Sequence, residues 1–266
     1  MGSVARTSQG WYHLAGFFTR VTEQGWSMDL TDKQLPTSKL IKFLAEDTPV
    51  LQAVSRAASV LVQRCGEGQS DSALRSTLER TASVTRDLYR RQESLLHELE
   101  PPTQSAQDAS SDLPPESASK TTHHFCDFLL ATCGTRGVML GVAAIVSFLW
   151  FRFDWCREMA IAARHAQAAD AHQDAALAAA SDHCSRWCTI YSDNHDLARC
   201  VEGLKERLNA YFVHERPPGG SCGAAEGDVM RVFREVGRLN YELLESVEPS
   251  PVSNDAINDI RNFSVQ

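Results

Sequence analysis

Residues 137–159, GVMLGVAAIVSFLWFRFDWCREM, form the most apolar stretch of this 266-residue chain and decide how the rest is interpreted. From Gly137 to Phe151 there are 15 residues without a charged side chain, and Arg152 and Asp154 then interrupt the run. A membrane-spanning helix needs about 20 predominantly apolar residues. Because the run is shorter than that, we interpret the stretch as the central helix of a soluble protein and expect no contact with a membrane.

The composition and the N-terminal residues narrow the class of protein. The N-terminus, MGSVARTSQG, has neither the apolar segment of a signal peptide nor a myristoylation pattern, so we expect a cytoplasmic protein. A net charge of −8 argues against nucleic acid or an anionic membrane as the main partner. The eight cysteines do not follow the pattern of a secreted disulfide scaffold, and we interpret them as small buried hydrophobes.

Apolar residues recur with helical spacing along most of the chain. In residues 70–99 they fall at Leu74, Leu78, Ala82, Leu88, Leu95 and Leu99. Further helices are predicted over 37–65, 121–133, 193–212 and 228–246, with a break or kink near Asp47 and Thr48 because Pro49 follows them. Strand patterns of comparable length do not occur, so the prediction is an all-α bundle in which 137–159 is the central helix.

The segments between these helices set the domain organisation. Residues 100–120 are rich in Pro, Ser and Asp and predict a flexible surface loop. Residues 160–182 are mostly alanine and predict a solvated helix extension or an insertion, and residues 217–227 predict a second loop. We therefore predict a single helical domain over residues 1–247, followed by a C-terminal tail over 248–266.

Five strings, in this order, resemble the TenA or thiaminase II family, and its plant-type branch in particular. They are MDLTDKQLPTSKLIKFLAEDTPVLQAVSRAASVLVQRC, HHFCDFLLATC, VMLGVAAIVSFLWFRFDWCREM, SDHCSRWCTIYS and DVMRVFREVGRLNYELLES. The resemblance implies a haem-oxygenase-like bundle around an internal pocket, in which an aminopyrimidine related to thiamine is hydrolysed without a cofactor. It also implies a homo-oligomer.

The resemblance assigns roles to individual positions. Asp47 stands where the family binds the ring amine with a carboxylate, and Phe125 replaces a tyrosine but keeps a ring for stacking. Phe148 stands at the place of the nucleophilic cysteine of most members, and Val146 at the place of the plant-type glutamate. Asn240 stands at the place of the catalytic glutamate, and an amide cannot carry a proton between substrate and water at neutral pH.

Two further positions complete the predicted site. Tyr191 corresponds to the tyrosine that follows the tryptophan-containing helix, and a tyrosine of the central helix becomes Leu149 or Arg152, depending on the branch aligned. No catalytic residue is identified. The predicted ligand-binding residues are Asp47, Val50, Phe125, Val146, Phe148, Tyr191 and Asn240.

Asp47 can also be interpreted without the resemblance. It follows Phe43 and Leu44 and precedes Val50 and Leu51 on one predicted helix. A carboxylate buried among such neighbours is costly unless it is paired or hydrogen-bonded, so a position facing the pocket is one interpretation. An ordinary solvated charge is the other.

Cysteine and histidine positions allow two more hypotheses. Cys126, beside Phe125, could be a displaced nucleophile, as could Cys133 or Cys156 on the same pair of predicted helices. An inert buried thiol is the simpler interpretation, because no neighbouring base is identifiable. His183, Cys184 and Cys188 have helical spacing but lack the fourth ligand that a structural zinc site usually needs, so we predict no metal site. His165 and His172 are interpreted as two exposed histidines of the alanine-rich segment.

Two functions stay open at this stage. One is a protein related to the aminopyrimidine hydrolases of thiamine salvage, with altered or lost catalysis. The other is a non-catalytic pseudoenzyme that binds an apolar small molecule or serves as an interaction scaffold. Both predict a small-molecule ligand, aminopyrimidine-like or more apolar, and neither predicts a nucleic-acid or membrane partner.

Overall fold

Seven α-helices make up nearly all of the residues that the computed structural model describes, which are 36–66, 69–99, 118–167, 175–214 and 222–247. The helices are α1 (Thr37–Arg64), α2 (Gln69–Leu99), α3 (Lys120–Thr135), α4 (Val138–Gln167), α5 (Ala175–Ser192), α6 (His195–His214) and α7 (Cys222–Val247). Within these ranges there is no β-strand. The all-α prediction is confirmed.

The central position of α4 follows from its packing. This helix lies against α1, α3, α5, α6 and α7, while α1 packs along α2 and α3. Near its start α4 approaches its neighbours closely, because a Cβ atom added to Gly141 would lie 2.7 Å from Cδ2 of Leu61 and 3.2 Å from Cα of Cys133. Glycine therefore allows α4 to sit against both α1 and α3.

Helix α4 extends well beyond the charge-free run of residues 137–151. Over Val138–Ile161 it has the length and composition to cross a membrane, and 61% of an 18-residue apolar stretch within it is buried inside the protein. The core helix of a soluble protein can have the same length and composition. The burial of α4 within the bundle therefore supports its interpretation as a core helix.

Two helix boundaries differ from the predictions. Of the predicted break or kink near Asp47 and Thr48, the break does not occur, because helix α1 continues through Pro49. The residues on both sides are buried, and the Thr48 hydroxyl donates a 2.6 Å hydrogen bond to the Leu44 carbonyl, so packing holds the helix despite the missing proline N–H. Helix α7 begins at Cys222, so residues 222–227 are helical where a loop was predicted.

The remaining segment predictions fall partly outside the described residues. Helix α4 extends to Gln167 and α5 begins at Ala175, so both ends of the alanine-rich segment are helical. Residues 100–117 of the predicted loop and the tail over 248–266 lie outside the described residues. The division into one domain and a tail stays a prediction.

Candidate functional site

A buried ion pair joins α1 to α4 in the middle of the bundle. The Arg152 Nη2 atom lies 2.5 Å from the Asp47 Oδ1 atom, and both side chains are 0% exposed. Because charged groups at such depth require a partner, the pair explains how a carboxylate can lie on the apolar face of α1. The interpretation of Asp47 as a solvated charge is wrong.

Four aromatic rings surround the guanidinium group of Arg152. The Cζ atom lies between 5.2 and 5.5 Å from the ring centroids of Phe43, Phe148, Phe151 and Trp155, which we call the aromatic cage. At these distances the ring faces attract a cation. Among the described residues, Nε and Nη1 of Arg152 have no hydrogen-bond partner. The cation is therefore held by one carboxylate oxygen and by the four rings.

Gln92, on α2, connects this ion pair to α5. Its Nε2 atom donates hydrogen bonds of 3.1 Å to Asp47 Oδ2 and of 3.1 Å to the Thr48 hydroxyl. Its Oε1 atom accepts hydrogen bonds from the Tyr191 hydroxyl at 2.8 Å and from Trp187 Nε1 at 3.3 Å. Both donors and both acceptor positions of the amide are thus used. We refer to Asp47, Gln92, Arg152 and Tyr191 together as the polar core.

Tyr191 is a hydrogen-bond donor in this arrangement. Its side chain is 0% exposed, and burial raises the pKa of the phenol well above its ordinary value, with a further contribution from the negative charge of Asp47. The phenol therefore keeps its proton throughout the physiological pH range and does not provide a base.

The structure brings together four of the seven predicted ligand-binding residues. The rings of Phe125 and Phe148 meet edge to face, with centroids 5.8 Å apart, and Phe148 belongs to the aromatic cage. Asp47 is linked to the cage by its ion pair with Arg152. Tyr191 is linked to Asp47 through Gln92, which forms a hydrogen bond with each of them. Helices α1, α3, α4 and α5 therefore converge at one place, and the roles that the resemblance assigns to these positions stay predictions.

The other three predicted residues are buried but are not joined to this group by hydrogen bonds. Val50 on α1 and Val146 on α4 are 0% exposed. Asn240 on α7 is also 0% exposed, and its Nδ2 atom donates a 2.9 Å hydrogen bond to the Val236 carbonyl of the same helix. The amide of Asn240 therefore interacts with its own helix and not with the polar core.

The space beside Asp47 is filled by protein side chains. All seven predicted residues and Arg152 are 0% exposed. A cavity that could hold a ligand would leave accessible surface on the residues that line it. Where the resemblance implies an internal pocket, the side chain of Arg152 therefore takes the space next to the carboxylate.

Glu46, the neighbour of Asp47, has a different role. Its carboxylate accepts a 3.0 Å hydrogen bond from the Ser119 backbone N–H and another from the Thr122 hydroxyl, at the start of α3. A negative charge is favourable at a helix N-terminus. Glu46 thus fixes α3 against α1, while Asp47 faces the interior.

Four of the described cysteine thiols are poor nucleophiles, and burial raises the pKa of Cys156 well above its ordinary value. Burial, with a smaller contribution from the negative charge of Asp127, raises the pKa of Cys126 to about 11. Burial likewise raises the pKa of Cys133 and of Cys184 to about 12. Since the thiolate is the reactive form, these shifts favour inert thiols over a displaced nucleophile.

We expect Cys126 to react with iodoacetamide near pH 8 about a hundredfold more slowly than an ordinary cysteine, because each unit of raised pKa removes about nine-tenths of the thiolate. The rate should keep rising with pH until the pKa of about 11 is reached. Mass spectrometry of the alkylated peptide over time gives the rate, with urea-unfolded protein as the control. Equal rates in the folded and unfolded protein would show an activated or freely accessible thiol.

Metal-ligating side chains do not cluster within the described part of the chain. No group of three or more His, Cys, Asp or Glu residues there could hold a metal ion, and this includes His183, Cys184 and Cys188. His172 and the side chain of His165 lie outside the described residues.

Comparison with known proteins identifies the fold of the chain. Neither a protein-family model nor a curated protein matches the sequence. Among solved structures, a TenA homolog from Pseudomonas syringae pv. tomato str. DC3000 matches with a TM-score of 0.64 at 12% identity, over 90% of this chain and 91% of that chain. The chain has the TenA fold.

Two further structures agree with this result. A TenA homologue from P. horikoshii OT3 has a TM-score of 0.61 at 16% identity, over 91% of this chain and 97% of that one. A TenA family transcription regulator from Silicibacter sp. TM1040 has a TM-score of 0.65 at 13% identity, over 91% and 96%. The predicted resemblance to TenA proteins is confirmed at the level of the fold, whereas the plant-type branch stays a prediction.

Sequence reasoning missed Gln92, Trp187 and the role of Arg152. It treated Arg152 as the residue that ends an apolar run and as one of two alternatives for a tyrosine of the central helix. The informative signal was that Asp47 falls among apolar positions of α1 and Arg152 among apolar positions of α4, since two buried charges of opposite sign are least costly when they pair.

Proposed function

We propose that this protein is a TenA-fold relative of the aminopyrimidine hydrolases that has lost hydrolysis, because its own Arg152 takes the place of the substrate. The resemblance assigns to Asp47 the binding of an aminopyrimidine amine, and to neighbouring rings the stacking on the base. Here the same carboxylate binds the planar guanidinium of Arg152, and the aromatic cage surrounds it. This single observation carries the proposal.

The described residues around Asp47 also do not supply the groups required for hydrolysis. An attack on the pyrimidine needs a nucleophile or an activated water and a group that transfers protons. Phe148 and Val146 provide neither, Tyr191 stays protonated, and Asn240 is an amide bonded to its own helix. The raised pKa of Cys126 disfavours a substitute thiol.

Because the interior beside Asp47 is filled, we expect the protein to function through its outer surface. On this view the protein acts by binding, and the polar core fixes how α1, α2, α4 and α5 pack. The alternative of an apolar ligand inside the bundle is less well supported, because the interior residues at this place have no accessible surface. A cytoplasmic location and a homo-oligomeric state belong to this proposal and rest on the composition and the resemblance to TenA proteins.

We expect purified protein to leave aminomethylpyrimidine and thiamine intact, with product formation equal to that of a protein-free sample. Mass spectrometry of the reaction mixture detects the hydrolysed pyrimidine, and an active thiaminase II assayed in parallel is the positive control. Turnover above the protein-free rate that co-elutes with the protein on size exclusion would contradict the proposal.

A thermal-shift titration distinguishes a protein that has lost only catalysis from one that has also lost the ligand-binding pocket. A ligand that binds only the folded state raises the melting temperature. We expect aminomethylpyrimidine to leave the melting temperature unchanged, since Arg152 takes its place. A saturable increase without turnover would show that the pocket opens and that only catalysis is lost.

A further inference from the structure

An arginine-rich groove lies between α1 and α2 on the outside of the bundle. Its volume is about 520 Å³, and we call it the arginine groove. It is lined by Gln52, Ser55, Arg56 and Ser59 from α1 and by Arg86, Tyr89 and Arg90 from α2. These positions follow the helical spacing of one face on each helix, so the groove is formed by regular structure. At its floor the Ser55 hydroxyl donates a 3.1 Å hydrogen bond to the Ala82 carbonyl and joins the two helices.

The charge of this groove is opposite to that of the chain. Three guanidinium groups and no carboxylate line it, whereas the whole protein has a net charge of −8. Arg56 and Arg86 form no hydrogen bond or ion pair with any part of the chain that the structure describes. Arg90 lies 3.6 Å from Asp87, but both side chains are largely exposed, so this pair is weak and leaves the cation available.

The groove has two acidic neighbours on α2. Glu93 accepts a hydrogen bond from the Tyr89 hydroxyl, and Asp87 faces Arg90. The hydroxyl of Ser59 donates to the Ser55 carbonyl at 3.0 Å, and its oxygen can still accept. The free hydrogen-bonding capacity of the groove is therefore mainly that of donors: the forks of Arg56 and Arg86 and the amide of Gln52.

We propose that the arginine groove binds a small anionic molecule that carries a phosphate or diphosphate group. Its volume lies within the range of about 300–1,000 Å³ that is typical of small-molecule sites. Guanidinium forks match phosphate oxygens in a bidentate manner, and three cations around one groove suit a group with more than one negative charge. A concave site on an otherwise acidic protein favours a small molecule over a membrane or nucleic acid, which need a broad positive surface.

This site is separate from the polar core, so the proposal goes beyond the loss of hydrolysis. Isothermal titration calorimetry of the full-length protein with pyrophosphate tests it, first at low ionic strength. We expect saturable binding that an Arg56→Gln/Arg86→Gln variant weakens by at least about tenfold, because each charge-assisted hydrogen bond lost is equivalent to about tenfold or more in affinity. Added salt should weaken binding, since exposed charges are screened.

The matched control is Arg199→Gln, which removes an exposed arginine of α6 whose side chain is 71% exposed. It should bind pyrophosphate as the wild type does, and circular dichroism should show equal helix content in all three proteins. Absence of binding to the wild type, equal affinity in the Arg56/Arg86 variant, or equal affinity for citrate would overturn the proposal. Arginine-dependent binding to anionic phospholipid vesicles without binding to pyrophosphate would overturn it as well.

Discussion

Replacing Arg152 with alanine is expected to lower the free energy of unfolding by about 3–5 kcal/mol. The substitution leaves Asp47 buried without its cation and empties the centre of the aromatic cage. An unpaired buried charge and a new cavity both destabilise the folded state. Urea unfolding at neutral pH, followed by circular dichroism, measures the change.

Two further variants distinguish the effect of breaking the ion pair on stability from the effect of losing any arginine. Arg157→Ala removes an arginine of the same helix whose side chain is 51% exposed, and we expect a change below about 1 kcal/mol. The double variant Asp47→Asn/Arg152→Met removes both charges and should be more stable than Arg152→Ala alone. If Arg152→Ala were no more destabilising than Arg157→Ala, the buried pair would not exist in solution.

The second large effect is expected from Gln92→Leu, which should lower the free energy of unfolding by about 2–5 kcal/mol. Leucine has a similar volume but supplies no hydrogen bond to Asp47 Oδ2, the Thr48 hydroxyl or the Tyr191 hydroxyl. Each buried polar group that loses its partner costs about 1–3 kcal/mol. Urea unfolding again gives the value.

Gln63→Leu is the matched control for this substitution, because Gln63 is an exposed glutamine within α1. We expect it to change stability by less than about 0.5 kcal/mol. The substitution Tyr191→Phe should add little destabilisation to Gln92→Leu, since the two residues share one hydrogen bond. Fully additive effects, or a Gln92 variant as stable as the Gln63 variant, would show that the polar core is not hydrogen-bonded as described.

Much of the fold could be predicted from the sequence because it depends on periodicity within single segments. The spacing of Leu74, Leu78 and Leu88 predicted α2, and the all-round apolar character of 137–159 predicted that α4 lies at the centre. The local signals that failed were Pro49, as the site of a break, and the part of the predicted loop over 222–227. In the first case buried neighbours on both sides hold the helix together, so tertiary packing overrides a local propensity.

The polar core was harder to predict because its partners are distant in sequence. Arg152 and Asp47 are 105 residues apart, and no local pattern pairs them. Gln92 follows two arginines and precedes a glutamate, so its surroundings suggest a solvated residue. Its helical phase was informative nevertheless, since it lies four residues after Leu88 and three before Leu95, on the face that is buried.

The role of a residue within a shared fold depends on what it contacts. Asp47 occupies the position that the resemblance associates with substrate binding, yet here it holds a side chain of its own protein. Under our proposal the fold persists while the chemistry of its interior changes. The same reasoning directs attention to the arginine groove, where unpaired donors lie on the outer surface.

The most direct test of the central claim is a crystal structure of the protein determined in the presence of aminomethylpyrimidine. We predict continuous density for the Arg152 guanidinium against Asp47, inside the ring formed by Phe43, Phe148, Phe151 and Trp155, with no space left for a ligand. Density for the pyrimidine between Asp47 and Phe148, with Arg152 displaced outward, would contradict the account.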